Sequence, residues 1–187
     1  MIAGLAALAV PGYNRLQGLD ENVTAHWSEV VNQYQRRADL VPNLVETVKG
    51  YARHEEAVFT QVTEARAKVG SMTLTPEMLG DEAAMQRFQQ AQGELSSALS
   101  RLLVVAENYP DLKANTNFEN LMTQLEGTEN RIVTARRNYI ESVQTFNTAV
   151  RTFPNSLIAR IAGLSRRAHF SVDNEAAIST APQVQFN

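Results

Sequence analysis

Three histidines, His26, His54 and His169, are the only imidazoles in the chain, and no cysteine accompanies them. A carboxylate-bridged metal pair inside a helical bundle needs a Glu three residues before a His on two helices. Val23, Tyr51 and Arg166 occupy those places here, so no metal ligands and no cofactor are predicted. His54, beside Glu55 and Glu56, reads as a solvated helix face. The carboxylate pairs Glu55-Glu56 and Asp81-Glu82 sit at adjacent positions, which on a helix point to different sides. Neither a Gly-x-Ser-x-Gly nucleophile turn nor a glycine-rich phosphate loop occurs, and the nine glycines are dispersed. The residues predict no catalytic group and no enzyme.

Two polar clusters remain. The first is Arg36-Arg37-Ala38-Asp39, followed by Pro42-Asn43, with Arg37 inside an apolar stripe. A charge there is costly unless paired, and Asp39 or an acid on a later helix is the expected partner. The second is Glu126-Gly127-Thr128-Glu129-Asn130-Arg131, with Thr128 on a stripe of its own. A mid-helix glycine costs about 1 kcal/mol relative to alanine, which predicts a close backbone approach at Gly127. Brought face to face, Arg36, Arg37, Asp39, Asn43, Glu129, Asn130 and Arg131 would form one buried polar layer. Such a layer either sets the register of the helices or forms a ligand or partner site.

The elements that must position these residues are long helices. From Asp20 to Gly70 a seam runs through Trp27, Val30, Tyr34, Arg37, Val41, Leu44, Val48, Tyr51, Glu55, Val58, Val62, Ala65 and Val69. Spacing of three and four residues sustained this far predicts one rod of about 75 Å, at ~1.5 Å per residue. Pro42 removes the hydrogen bond to the Ala38 carbonyl and predicts a kink. Thr75-Pro76-Glu77 reads as a new helix start, with seam positions Met85, Phe88, Gln92, Leu95, Leu99, Leu102, Ala106 and Tyr109. Thr116-x-x-Glu119 reads as a capping box opening a third helix, which runs through Phe118, Leu125, Ile132, Tyr139 and Phe146 until Pro154 ends it. The prediction is an all-α fold, an antiparallel bundle of three long helices with short N- and C-terminal helical segments.

With 187 residues, 44% hydrophobic and 20% charged, the chain fits one ordered domain. A net charge of −3 argues against nucleic-acid binding, which needs a basic footprint. Residues 1–12 open with an apolar run, Met1 to Val10, that Pro11-Gly12 is expected to stop. Ten helical residues span about 15 Å, half of a roughly 30 Å hydrocarbon core. The run reads as part of a membrane anchor, as an assembly contact through Ala3, Gly4 and Ala7, or as a buried lead-in. Residues 13–154 hold the bundle. In residues 155–187, Ser156 is expected to cap a short helix from Leu157 to Leu164. Leu157, Ile158, Ile161 and Leu164 form its apolar face, and Arg160, Arg166 and Arg167 make the segment basic. It fits an interfacial membrane helix and equally a helix folded back on the bundle end. Beyond it, Val184 and Phe186 alternate with Gln183 and Gln185, a pattern for an extended strand.

Gln35-Arg36-Arg37-Ala38-Asp39-Leu40-Val41-Pro42-Asn43-Leu44 closely resembles the signature of the LemA family. So do Glu107-Asn108-Tyr109-Pro110-Asp111-Leu112, Leu125-Glu126-Gly127-Thr128-Glu129-Asn130-Arg131-Ile132 and Phe153-Pro154-Asn155-Ser156-Leu157. The resemblance implies a helical bundle behind a single N-terminal transmembrane helix in the bacterial envelope, and it supplies no catalytic residue. The apolar run at the start of this chain is about half the usual anchor. The expected function is a non-enzymatic, membrane-associated scaffold or adaptor acting through self-assembly or partner binding. Its expected partners are further copies of the chain and the membrane or membrane proteins, with neither nucleic acid nor a small-molecule ligand. The alternative is a ligand-binding or sensory module using the polar layer.

Overall fold

The computed structural model describes residues 2–170, with side chains from Val10 onward. The chain forms α1 (Ile2–Lys49), α2 (Glu56–Gly70), a 3-10 turn (Pro76–Gly80), α3 (Glu82–Glu107), the single turn α4 (Pro110–Lys113), α5 (Thr116–Arg151) and α6 (Asn155–Ile161). No strand occurs among the described residues, and the all-α bundle is as predicted.

The first third of the chain departs from the expected rod. α1 runs unbroken through Pro11 and Pro42, so the apolar start continues into the bundle helix instead of stopping at Pro11-Gly12. At ~1.5 Å per residue α1 is about 72 Å long. It ends at Lys49, where the amides of Tyr51 and Ala52 both donate to the Val48 carbonyl (3.0 and 2.9 Å). α2 then returns antiparallel along α1. The apolar stripe slips by one residue at the reversal: Tyr51 is exposed, while Ala52 and Phe59 are buried.

Pro42 is tolerated because its loss of a donor is made good from outside the helix. Proline cannot bond the carbonyl four residues back, and that carbonyl, Ala38 O, accepts from Arg66 Nε of α2 at 3.0 Å. A buried carbonyl left unpaired is costly. The same proline thus gives α2 a fixed docking point on α1.

α3 is antiparallel to α2, as Lys68–Glu94 (2.6 Å) and Arg101–Gln61 (2.7 Å) show. α5 is antiparallel to α1, with Arg37 against Glu129 and Arg131 against Gln33. Helix ends differ from expectation in detail. Thr75-Pro76-Glu77 opens only the 3-10 turn, where hydrogen bonds from the Thr75 hydroxyl and the Glu77 amide hold the Glu77 carboxyl below its ordinary range. α3 is capped by Asp81, which accepts from the Ala84 amide at 3.0 Å. Asn115, and not Thr116, caps α5, accepting from the Phe118 amide at 3.1 Å. Ser156 lies inside α6, and Pro154 holds the capping position without a side-chain bond. α6 closes with Gly163 at φ +69° and a Leu164 amide to Ala159 carbonyl bond of 2.9 Å, the glycine-dependent Schellman ending.

A test of the proline account is a double-mutant cycle on thermal unfolding. Arg66→Met should cost about 1–2 kcal/mol, because it orphans the Ala38 carbonyl. In a Pro42→Ala background, where residue 42 again donates, the same change should cost less than half of that. Equal costs in the two backgrounds would refute the pairing.

Candidate functional site

α1, α3 and α5 meet in a buried polar layer. Arg37 is fully buried in the α1 seam. Its Nη1 donates to Ser96 Oγ (2.7 Å) and Glu129 Oε1 (3.2 Å). Its Nη2 donates to the Gln92 carbonyl (3.1 Å) and Gln92 Oε1 (2.6 Å). The guanidinium also lies over the Tyr34 ring, 5.0 Å from its centroid. Glu129 is 5% exposed. The layer divides the core in two. Leu40, Leu44, Val48, Phe59, Leu95, Leu102 and Leu125 lie on one side. Trp27, Tyr34, Phe88, Ile132, Tyr139 and Phe146 lie on the other.

Of the seven residues the sequence assigns to this layer, the structure brings together Arg37 and Glu129. Arg36, Asp39, Asn43, Asn130 and Arg131 are on the surface. Asp39 accepts from Gln35 (2.8 Å), and Arg131 donates to Gln33 (3.2 Å) and to Thr128 Oγ1 (3.2 Å). The close backbone approach expected at Gly127 is not found. An added Cβ there would meet only the Arg131 guanidinium, at 3.6 Å, an ordinary contact, so the packing leaves this glycine unexplained.

Sequence reasoning passes over a second buried arginine. Arg136, two turns beyond Glu129 on α5, is 3% exposed, and its guanidinium stands 4.6 Å from the Phe170 ring centroid. Its Nε and Nη2 have no hydrogen-bond partner, nor does Arg37 Nε. Two guanidiniums therefore share this interior with one carboxylate. Burial raises the Tyr34 hydroxyl above its ordinary 10.0 against the pull of Arg37 and Arg136. Burial likewise raises Tyr139, whose hydroxyl donates to the Ala168 carbonyl at 2.8 Å.

The other sequence-assigned residues lie at the end of the bundle where α1 begins. α6 lies close against α1: a Cβ added at Gly12 would come within 2.5 Å of Ile158 Cδ1. Ile158 and Leu164 pack onto the core, whereas Leu157 (53%) and Ile161 (88%) face outward. The expected apolar face is thus split between bundle and solvent. Arg167 fastens the following segment, donating to both Asp20 carboxylate oxygens (2.7 and 2.6 Å), while its amide donates to Asn147 Oδ1 (2.8 Å). The side chains of Ala3, Gly4 and Ala7 lie outside the described residues, as do Val184 and Phe186.

Among the described residues no helix is long and apolar enough to cross a membrane, and no three His, Asp or Glu side chains gather as metal ligands. A surface groove of about 370 Å³ between α2 and α3 is lined by Gln61, Glu64, Lys68, Glu94 and Arg101, whose Lys68–Glu94 and Arg101–Gln61 pairs bond across it.

The sequence model of the LemA family matches residues 26–186. Magnetosome protein MamQ 2 of Paramagnetospirillum magneticum is 27% identical over 186 residues, covering 91% of this chain and 68% of the relative. Magnetosome protein MamQ of Magnetospirillum gryphiswaldense is 28% identical over 174 residues, covering 84% and 64%. Protein LemA of Metamycoplasma hominis is 24% identical over 143 residues, covering 75% and 61%. The chain thus spans about two thirds of the length of these relatives.

If the layer is held by the Arg37–Glu129 pair, removing one partner should cost far more than removing both. Arg37→Met, which leaves the Glu129 carboxylate buried and unmatched, should lower the unfolding free energy by about 3–5 kcal/mol. The double variant Arg37→Met/Glu129→Leu should fall short of the sum of the single costs by 2 kcal/mol or more, to order of magnitude. Additive costs in guanidinium denaturation would show that the two side chains are not energetically coupled.

Proposed function

We propose that this chain, which belongs to the LemA family, is a non-enzymatic scaffold or adaptor at a bacterial membrane, acting through self-assembly or partner binding. The observation that carries the reading is the geometry of α1. In the register set by Arg37 and Glu129, Arg151 at the end of α5 falls level with Arg15. The first dozen or so residues of α1 therefore run on past α5 for about 20 Å, and they include the apolar stretch from Ile2 to Val10. An apolar extension on a stiff bundle suits insertion into lipid or packing against another copy. The resemblance to magnetosome proteins supports the membrane-associated part of this reading. The chemistry of the interior supports the non-enzymatic part: the Ser96 hydroxyl, the Glu129 carboxylate and the Gln92 side-chain oxygen all accept from the buried Arg37.

The experiment is analytical ultracentrifugation of the full chain, together with flotation on lipid vesicles. Oligomers, vesicle association or both are the expected result. A sharp monomer that stays free of vesicles would overturn the reading.

A second reading, a ligand-binding or sensory module, draws on one feature: Arg37 and Arg136 outnumber Glu129, and three of their N–H-bearing atoms are unbonded. A small anion is the chemistry such a layer would take. At matched ionic strength, phosphate or acetate should then raise the melting temperature above that in chloride, and Arg136→Met should abolish the difference. No anion dependence would leave the layer purely structural.

A further inference from the structure

We infer that the end of the bundle formed by the start of α1, the end of α5 and α6 is a docking surface for an anionic lipid bilayer. The inference rests on the membrane association proposed above and names the surface and the lipid charge that carry it. Two independent distributions meet at this pole. The first is charge. Residues 1–19 and 142–170 contain five arginines and no Asp or Glu, although the chain as a whole is net −3. Arg15, Arg151, Arg160 and Arg166 are exposed, while Arg167 is held by Asp20. The acids lie in residues 20–141, with two more in the C-terminal tail, so the molecule is basic at one end and acidic along its body.

The second is apolar exposure. Eight large hydrophobic side chains are exposed among the described residues, and five of them are here: Val10, Tyr13, Phe153, Leu157 and Ile161. Phe153, Leu157 and Ile161 follow one another at intervals of four, with Phe153 76% exposed. Exposed apolar groups that share one end of a molecule with cations mark an interaction surface, and this combination suits the headgroup boundary, where apolar side chains enter the acyl region and guanidiniums meet phosphate. Ile158, Ala159 and Leu164 fix α6 to the bundle from its inner side, so the outer row is presented without any refolding. The apolar first turns of α1 leave the body at this same pole. A second copy meeting pole to pole would set arginines against arginines, which disfavours that occupant.

The test is flotation of the full chain with phosphatidylcholine vesicles and with vesicles that also contain phosphatidylglycerol. Binding should prefer the anionic vesicles and weaken with salt. Each arginine replaced should reduce partitioning about fivefold, so Arg151→Gln/Arg160→Gln/Arg166→Gln should lose on the order of 100-fold. Leu157→Asp/Ile161→Asp should lose binding with an unchanged melting temperature, because both side chains already face solvent. Ile158→Asp should instead lower the melting temperature. If wild type binds both vesicle types equally, or the pole variants bind like wild type, the surface is refuted and membrane association stands on residues 1–10 alone. If the variants change oligomer size and not vesicle binding, the occupant is another copy and the lipid surface is refuted. A monomeric wild type that ignores both vesicles removes this inference and the scaffold reading together.

Discussion

A guanidinium with no solvent exposure is the constraint around which this bundle is arranged. Desolvating an arginine costs several kcal/mol, and the loss is recovered only if nearly every N–H finds an acceptor in good geometry. Arg37 meets that demand with groups from two other helices: Gln92 and Ser96 on α3, and Glu129 on α5. Apolar packing on either side of the layer is not directional, and a helix that slid by one turn would still bury leucines. It would leave Arg37 opposite apolar side chains. The layer therefore penalises misregistered packings that the two hydrophobic half-cores would tolerate.

The reversal after α1 follows the same logic on the backbone. Pro42 creates a carbonyl with no internal donor, and Arg66 can reach Ala38 O only when α2 lies antiparallel on that stretch of α1. The sequence made the orphaned carbonyl visible but not its partner. It also disguised the turn. Val48, Tyr51, Glu55 and Val58 keep the spacing of a continuous helix across residues 50–55, and periodicity along a chain has no direction in space. The true inner positions, Ala52 and Phe59, lie one step off that line. The weak signs of a break were Gly50 and the polar run Arg53-His54-Glu55-Glu56, which favours solvent over helix packing.

How much of the site could be read depends on whether a polar residue interrupts a stripe. Arg37 and Gln92 do, and both are at the layer; Glu129 stands next to Thr128, which also does. Arg36, Asp39 and Asn43 stand close to Arg37 in sequence, yet on a helix such neighbours turn outward. Arg136 gives no such signal, because it sits in Ala135-Arg136-Arg137, where Ala135 already fills the seam. Two adjacent arginines look alike in sequence, and only the packing of Phe170 over one of them separates buried from exposed. The cap of α5 lies one residue before the expected one for a similar reason: Asn115 and Thr116 are both good capping types, and only backbone geometry chooses.

The short helix α6 shows why one segment invites two sequence readings. Seven residues give two turns, enough for an inner and an outer row. Ile158 and Ala159 take the inner row against α1 and α5, a contact that Gly12 permits by lacking a side chain. Leu157 and Ile161 take the outer row, continuing from Phe153. An apolar helix with nothing outside it would bury both rows or carry polar groups on the second. Here the outer row stays apolar and its neighbours are arginines, so the proposed occupant is one that is acidic at its surface and apolar beneath. A bilayer with anionic headgroups has that layering, and the stiff, acidic body behind the pole would then stand away from it.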